Sequence, residues 1–81
     1  MLAISFDRLV IVEWVDSHIT SGWSREKQDD EPQTCVSVGW VVAENERALS
    51  VSPHISIEEN PQRNGTMTIP KCSIKRIGEL L

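Results

Sequence analysis

At 81 residues, with 40% hydrophobic and 25% charged side chains, the chain is long enough for one modest core and too apolar to be disordered. A net charge of −4 argues against the broad basic face of a general phosphate-backbone binder. No run approaches the roughly 18 apolar residues of a membrane-spanning helix, and Asp7, Arg8 and Glu13 interrupt any apolar leader, so the expectation is a cytoplasmic chain with no membrane partner.

Residues 1–9 read as a lead-in, with Ile4 and Phe6 placed to cover one end of a core. The first strong strand is Val10-Ile11-Val12-Glu13-Trp14-Val15-Asp16. Val10, Val12 and Trp14 fall on one face, and Ile11, Glu13 and Val15 on the other. Asp16-Ser17 ends it, because both side chains bond nearby backbone. Residues 24–34 are polar, without apolar periodicity, and are expected to be an exposed, mobile loop. The adjacent acids Asp29-Asp30-Glu31 lack the alternating spacing and turn glycine of a calcium loop.

Cys35 to Ala43 is the second strand, with Val36, Val38, Trp40 and Val42 on one face. Gly39 in mid-strand signals a bend or the close approach of another backbone. Glu44 to Arg47 is a turn, and Ala48 to Ile55 returns as a third strand interrupted at Pro53. Residues 57–65 form a second polar loop closed by the turn signal Asn64-Gly65. Thr66 to Ile69 is a short fourth strand, Pro70 to Ser73 a helical turn, and Ile74 to Leu80 the last strand. The expected fold is an all-β, five-stranded small closed barrel spanning residues 1–81 as a single domain, with one short helical turn before the last strand. Its expected core is Val12, Trp14, Val38, Trp40, Leu49, Val51, Ile69 and Ile74. Cys35 and Cys72 are expected to be reduced, buried thiols.

The opening strand Val10 to Asp16 and the closing run Ile69-Pro70-Lys71-Cys72-Ser73-Ile74-Lys75-Arg76-Ile77 resemble those of the Sm-like family of small barrels, its bacterial RNA-chaperone branch in particular. Glu-Trp-Val-Asp followed by Gly-Trp is also similar to short phage and prophage proteins of uncharacterised function. The Sm-like resemblance implies a barrel of the Src-homology type, pairing of edge strands into a ring, and RNA binding. Asn45 sits in a turn suited to base contact, while the Arg-Gly pair of many members is absent.

Candidate sites follow from the residues. Lys71, Lys75 and Arg76 are the clustered cations and, with Asn45, the candidate nucleic-acid contacts. Trp23, His18, Asp16, Ser52 and His54 are the candidate ligand-binding residues, with Trp23 either capping the barrel or stacking on a ligand. Ile11, Val15 and Val41 are apolar on the face opposite the core and mark a candidate interface with a second copy. Asp16-Ser17-His18 does not form a catalytic set by adjacency alone, because such groups converge in space. His18, Cys35, His54 and Cys72 lack the close ligand pairs of a structural zinc site. No enzyme, metal or cofactor is expected. The leading expectation is a non-enzymatic interaction module of phage or prophage origin that forms a homo-oligomeric ring. The alternatives are an Sm-like RNA-binding ring and a small-molecule or nucleotide-sequestering inhibitor of host defence.

Overall fold

The computed structural model describes residues 8–17, 21–27 and 31–80. The strands are β1 (Leu9–Asp16), β2 (Gln33–Glu44), β3 (Ala48–Ser52), β4 (His54–Ile55), β5 (Arg63–Asn64), β6 (Met67–Pro70) and β7 (Ile74–Glu79), with a 3-10 turn at Lys71–Ser73. Five of them form one antiparallel sheet in the order β6-β3-β2-β1-β7, and β4 and β5 form a separate two-stranded hairpin. The fold is all-β, as expected, but the pairing leaves the sheet open. No ladder joins the edge strands β6 and β7, which are linked instead through the 3-10 turn.

Several element boundaries also differ from expectation, β2 running from Gln33 to Glu44 and so taking Gln33 and Thr34 from the expected 24–34 loop. Pro53 cannot donate to a ladder, and it splits the expected third strand into β3 and β4. Arg63-Asn64, expected within a loop, is strand β5, and Gly65 turns the chain out of it with φ of 76°. The lead-in residues Ile4 and Phe6 lie outside the described residues, as do His18, Asp29 and Asp30.

The core is Val10, Val12, Leu49, Val51 and Ile69, with Trp14, Val41 and Ile74 packed against it. Its composition follows from register. Directly paired residues of antiparallel strands share a face, and β1 pairs with β2 as Val10–Gly39, Val12–Ser37 and Trp14–Cys35. The inner face of β2 is therefore Cys35, Ser37, Gly39 and Val41. The small side chains there leave room for the large ones of β1, and the Trp14 indole N–H donates to Ser37 Oγ at 3.0 Å.

That register corrects three expectations. Val38 and Trp40 are not core residues: they stand on the outer face, opposite Ile11 and Leu9. Val41 does not stand on the face opposite the core, because it pairs with Val51 and packs on the core. The thiols are free, but Cys35 is only half-buried and Cys72 is exposed.

Gly39 is the most closely approached of the described glycines. A Cβ there would lie 2.9 Å from the Ser52 carbonyl oxygen and 3.0 Å from its carbon, both rigid backbone. A register shift between Val41 and Ala43 then bends β2 beside β3. The β2–β3 turn is closed by Asn45, whose Oδ1 accepts from the N–H groups of Arg47 (2.7 Å) and Ala48 (2.9 Å).

Candidate functional site

The outer face of β2, β1 and β7 carries an apolar surface that is partly exposed among the described residues. One row across it is Val38, Ile11 and Gly78; the next is Val36, Glu13 and Arg76. Val36 is 62% exposed, Val38 49% and Ile11 37%; Ile77, paired with Val12 and so on the other face of the edge strand, is 40% exposed. Ile11, Glu13, Val36, Arg76, Ile77 and Gly78 line a groove of ≈ 460 Å³. Ile11 leans over Gly78, where an added Cβ would stand 3.1 Å from its Cγ2. Within the groove Arg76 Nε donates to Glu13 Oε2 at 2.6 Å, so an ion pair sits beside the apolar rows.

A second recess lies at the other end of the same outer face. Trp40 pairs with Ser52 there, and Ser52 is fully buried. Its hydroxyl stands 2.9 Å from the carbonyl oxygens of both His54 and Asn64, fastening β4 and β5 to the end of β3. The hairpin is closed beyond that by Ser56, whose N–H donates to the Gln62 carbonyl at 2.9 Å and whose Oγ accepts from the Gln62 N–H at 2.7 Å. Between Trp40 and this hairpin is a cleft of ≈ 480 Å³.

The sequence-predicted residues distribute unevenly over these two places. Of the ligand candidates, His54 lines the Trp40 cleft, and Ser52 lies beneath the hairpin as an anchor rather than a contact. Trp23 is fully exposed and borders a different recess with Ser24 and Arg25. Asp16 accepts the Ser17 N–H at 2.8 Å, an ordinary turn bond at the end of β1. These candidates do not converge on one site. Of the interface candidates, Ile11 is in the apolar groove, Val15 is half-buried farther along β1, and Val41 packs against the core.

The nucleic-acid candidates are all engaged within the chain. Lys71 Nζ lies 2.8 Å from Glu44, Arg76 pairs with Glu13, and Lys75 lies 3.9 Å from the same carboxylate. Asn45 spends its amide oxygen on the β2–β3 turn. A phosphate would have to compete with these carboxylates for every cation of the cluster. Glu44 also receives Arg8, which donates to Glu79 as well, at 2.7 Å from Nη2. The Lys71 ammonium, followed by Arg8, holds the Glu44 carboxyl below its ordinary value, and the Glu79 bond raises the Arg8 guanidinium.

Sequence reasoning missed Val36, Ile77 and the Glu13–Arg76 pair of the groove, and Gln62 and Arg63 of the cleft. For the groove a signal was present: large residues at Val36 and Val38 alternate with Ser37 and Gly39, and apolar residues occupy both faces of β1. Among the described residues no group of three His, Cys, Asp or Glu side chains could hold a metal ion, and no helix is long and apolar enough to cross a membrane. No protein-family model, curated protein or solved structure matches the chain.

Proposed function

We propose that the protein is a non-enzymatic interaction module that self-associates through the outer face of β2, β1 and β7. The observation that carries this reading is the row Val38–Ile11 beside Val36, apolar and exposed in the middle of the sheet. Outward positions of an antiparallel sheet are ordinarily polar, and a contiguous apolar patch is characteristic of a contact surface. A second copy is the occupant best suited to it. The adjoining Glu13–Arg76 pair makes the face self-complementary: about a two-fold axis, the carboxylate of one copy stands opposite the guanidinium of the other.

The open edges extend the same reading. Pairing of β6 in one copy with β7 in the next would protect both edges and build a ring, while closure of β6 toward β7 within one chain would give the barrel. RNA binding through Lys71, Lys75 and Arg76 is the weaker reading, because each already faces a glutamate.

Sedimentation of the wild type and of a Val36→Glu, Val38→Glu double variant tests the proposal. The wild type should sediment as a dimer or larger assembly at micromolar concentration, and the variant as a monomer with an unchanged β-type circular dichroism spectrum. Both positions are largely exposed, so the single chain tolerates the charges. A wild type that is monomeric throughout overturns the reading.

A further inference from the structure

We infer that the cleft between Trp40 and the β4–β5 hairpin is a binding site for a small anion that carries a flat ring. The argument starts from charge. The chain holds 12 Asp and Glu residues against 8 Lys and Arg, yet among the described residues no carboxylate lines this cleft. Its polar lining includes His54, Gln62, Arg63 and Asn64. Glu58, the acid bonded to the hairpin, accepts Ser56 Oγ at 2.8 Å and is not among the lining residues. Arg63 differs from the cations of the opposite end. Arg8, Lys71, Lys75 and Arg76 all face glutamates, whereas Arg63, like Arg25, Lys27 and Arg47, has no ion pair among the described residues, and of these Arg63 is the one that lines this cleft.

A free guanidinium offers a planar fork that matches the paired oxygens of a phosphate or carboxylate. Amide groups from Gln62 and Asn64 and an imidazole N–H from His54 add further donors around it. Trp40 and Pro53 supply the apolar part of the wall, and an indole is a suitable platform for an aromatic ring. The volume, ≈ 480 Å³, lies within the range of about 300–1,000 Å³ of small-molecule sites. Position matters too. The Ser52 hydroxyl and the two Ser56–Gln62 bonds fix the hairpin backbone that carries these side chains beside Trp40. The arrangement suits a ring on Trp40 with its anionic group on Arg63. It does not suit a long polyanion, which would need a track of free cations.

A titration of the ¹⁵N-labelled full chain, followed by ¹H–¹⁵N spectra, tests this with adenosine 5′-monophosphate as the probe. Adenosine, inorganic phosphate and benzoate are run in parallel. The expected result is saturable shifts confined to the Trp40 indole and residues 54–64, with adenosine and phosphate each binding about tenfold or more weakly than the intact nucleotide. Arg63→Gln should weaken nucleotide binding by about tenfold or more while the spectrum stays dispersed. Benzoate binding as well as the nucleotide identifies a carboxylate source and supports the site. The proposal is overturned by the absence of saturation at millimolar nucleotide, by shifts centred elsewhere, or by equal affinity in Arg63→Gln.

Discussion

Strands β1 and β2 lie side by side, paired from Leu9–Trp40 to Asp16–Gln33, and both alternate in residue size. They use that alternation in opposite ways. In β1 the row Val10, Val12 and Trp14 points inward, and two of the three are completely buried. In β2 the larger row, Val36, Val38 and Trp40, points outward, and the inward row is Cys35, Ser37 and Gly39. The difference shows what alternation can and cannot specify. It marks a strand, but which face meets the core depends on the partner. Where β1 already fills the interior with valines and an indole, its neighbour must be small there, and its large side chains are left facing out.

The largest expected effect comes from removing the smallness. Gly39→Ala places a methyl group 2.9 Å from the Ser52 carbonyl oxygen, and backbone cannot swing aside as a side chain would. The cost should reach about 3 kcal/mol, the upper end of ordinary overpacking, out of a total that for a domain of this size is only about 5 kcal/mol. A urea midpoint unchanged by the substitution would mean that β3 can retreat, and that close approach does not dictate the small inner row.

A paired substitution reads the two faces directly. Val12→Ala removes two buried methyl groups and leaves a hole, costing about 2–3 kcal/mol. Val38→Ala, at the same chemistry but 49% exposed, should cost about 0.5 kcal/mol or less in the dissociated chain. If Val38 is covered by a second copy, its cost rises with protein concentration, whereas that of Val12 keeps its dissociated-chain value as well. Equal costs at low concentration would erase the distinction between the strands.

Much of this architecture was legible from residues. The β1 pattern follows from alternation, and the break at Pro53, the turn at Gly65 and the tight passage at Gly39 each follow from the backbone chemistry of a single residue type. The phase of β2 was not legible, because Val36, Val38, Trp40 and Val42 are individually better core residues than Cys35, Ser37 and Gly39. Only register decides against them. The candidate sites were less legible still. His54, one of the ligand candidates, lines a recess, but Arg63 and Gln62 join it through hairpin pairing that no local pattern announces. Conversely, Lys71, Lys75 and Arg76 read as a basic cluster until folding brings Glu44 and Glu13 against them, from residues 27 to 63 positions away in the chain.

The smallest expected effect tests whether the ends of β1 and β2 help to fix that register. Arg8, just before β1, pairs with Glu44, the last residue of β2, at 3.0 Å, and Lys71 reaches the same carboxylate from the 3-10 turn. All three side chains are more than a third exposed or close to it, so solvent screens them and the contribution is small. Its sign is nevertheless defined. Lys71 foremost, and Arg8 after it, hold the folded-state Glu44 below its ordinary value of 4.5. The unfolded chain therefore binds the proton more readily, and the stabilisation is present above that ordinary value and lost as pH falls through the folded one. Comparing thermal midpoints of wild type and Glu44→Gln across the acid range should show a small advantage for the wild type near neutrality. That advantage should shrink toward zero in acid and be reduced by added salt. An advantage that persists in acid would mean that the Glu44 side chain acts by packing rather than by charge, and the register would then rest on the interior contacts of Gly39 and Trp14 alone.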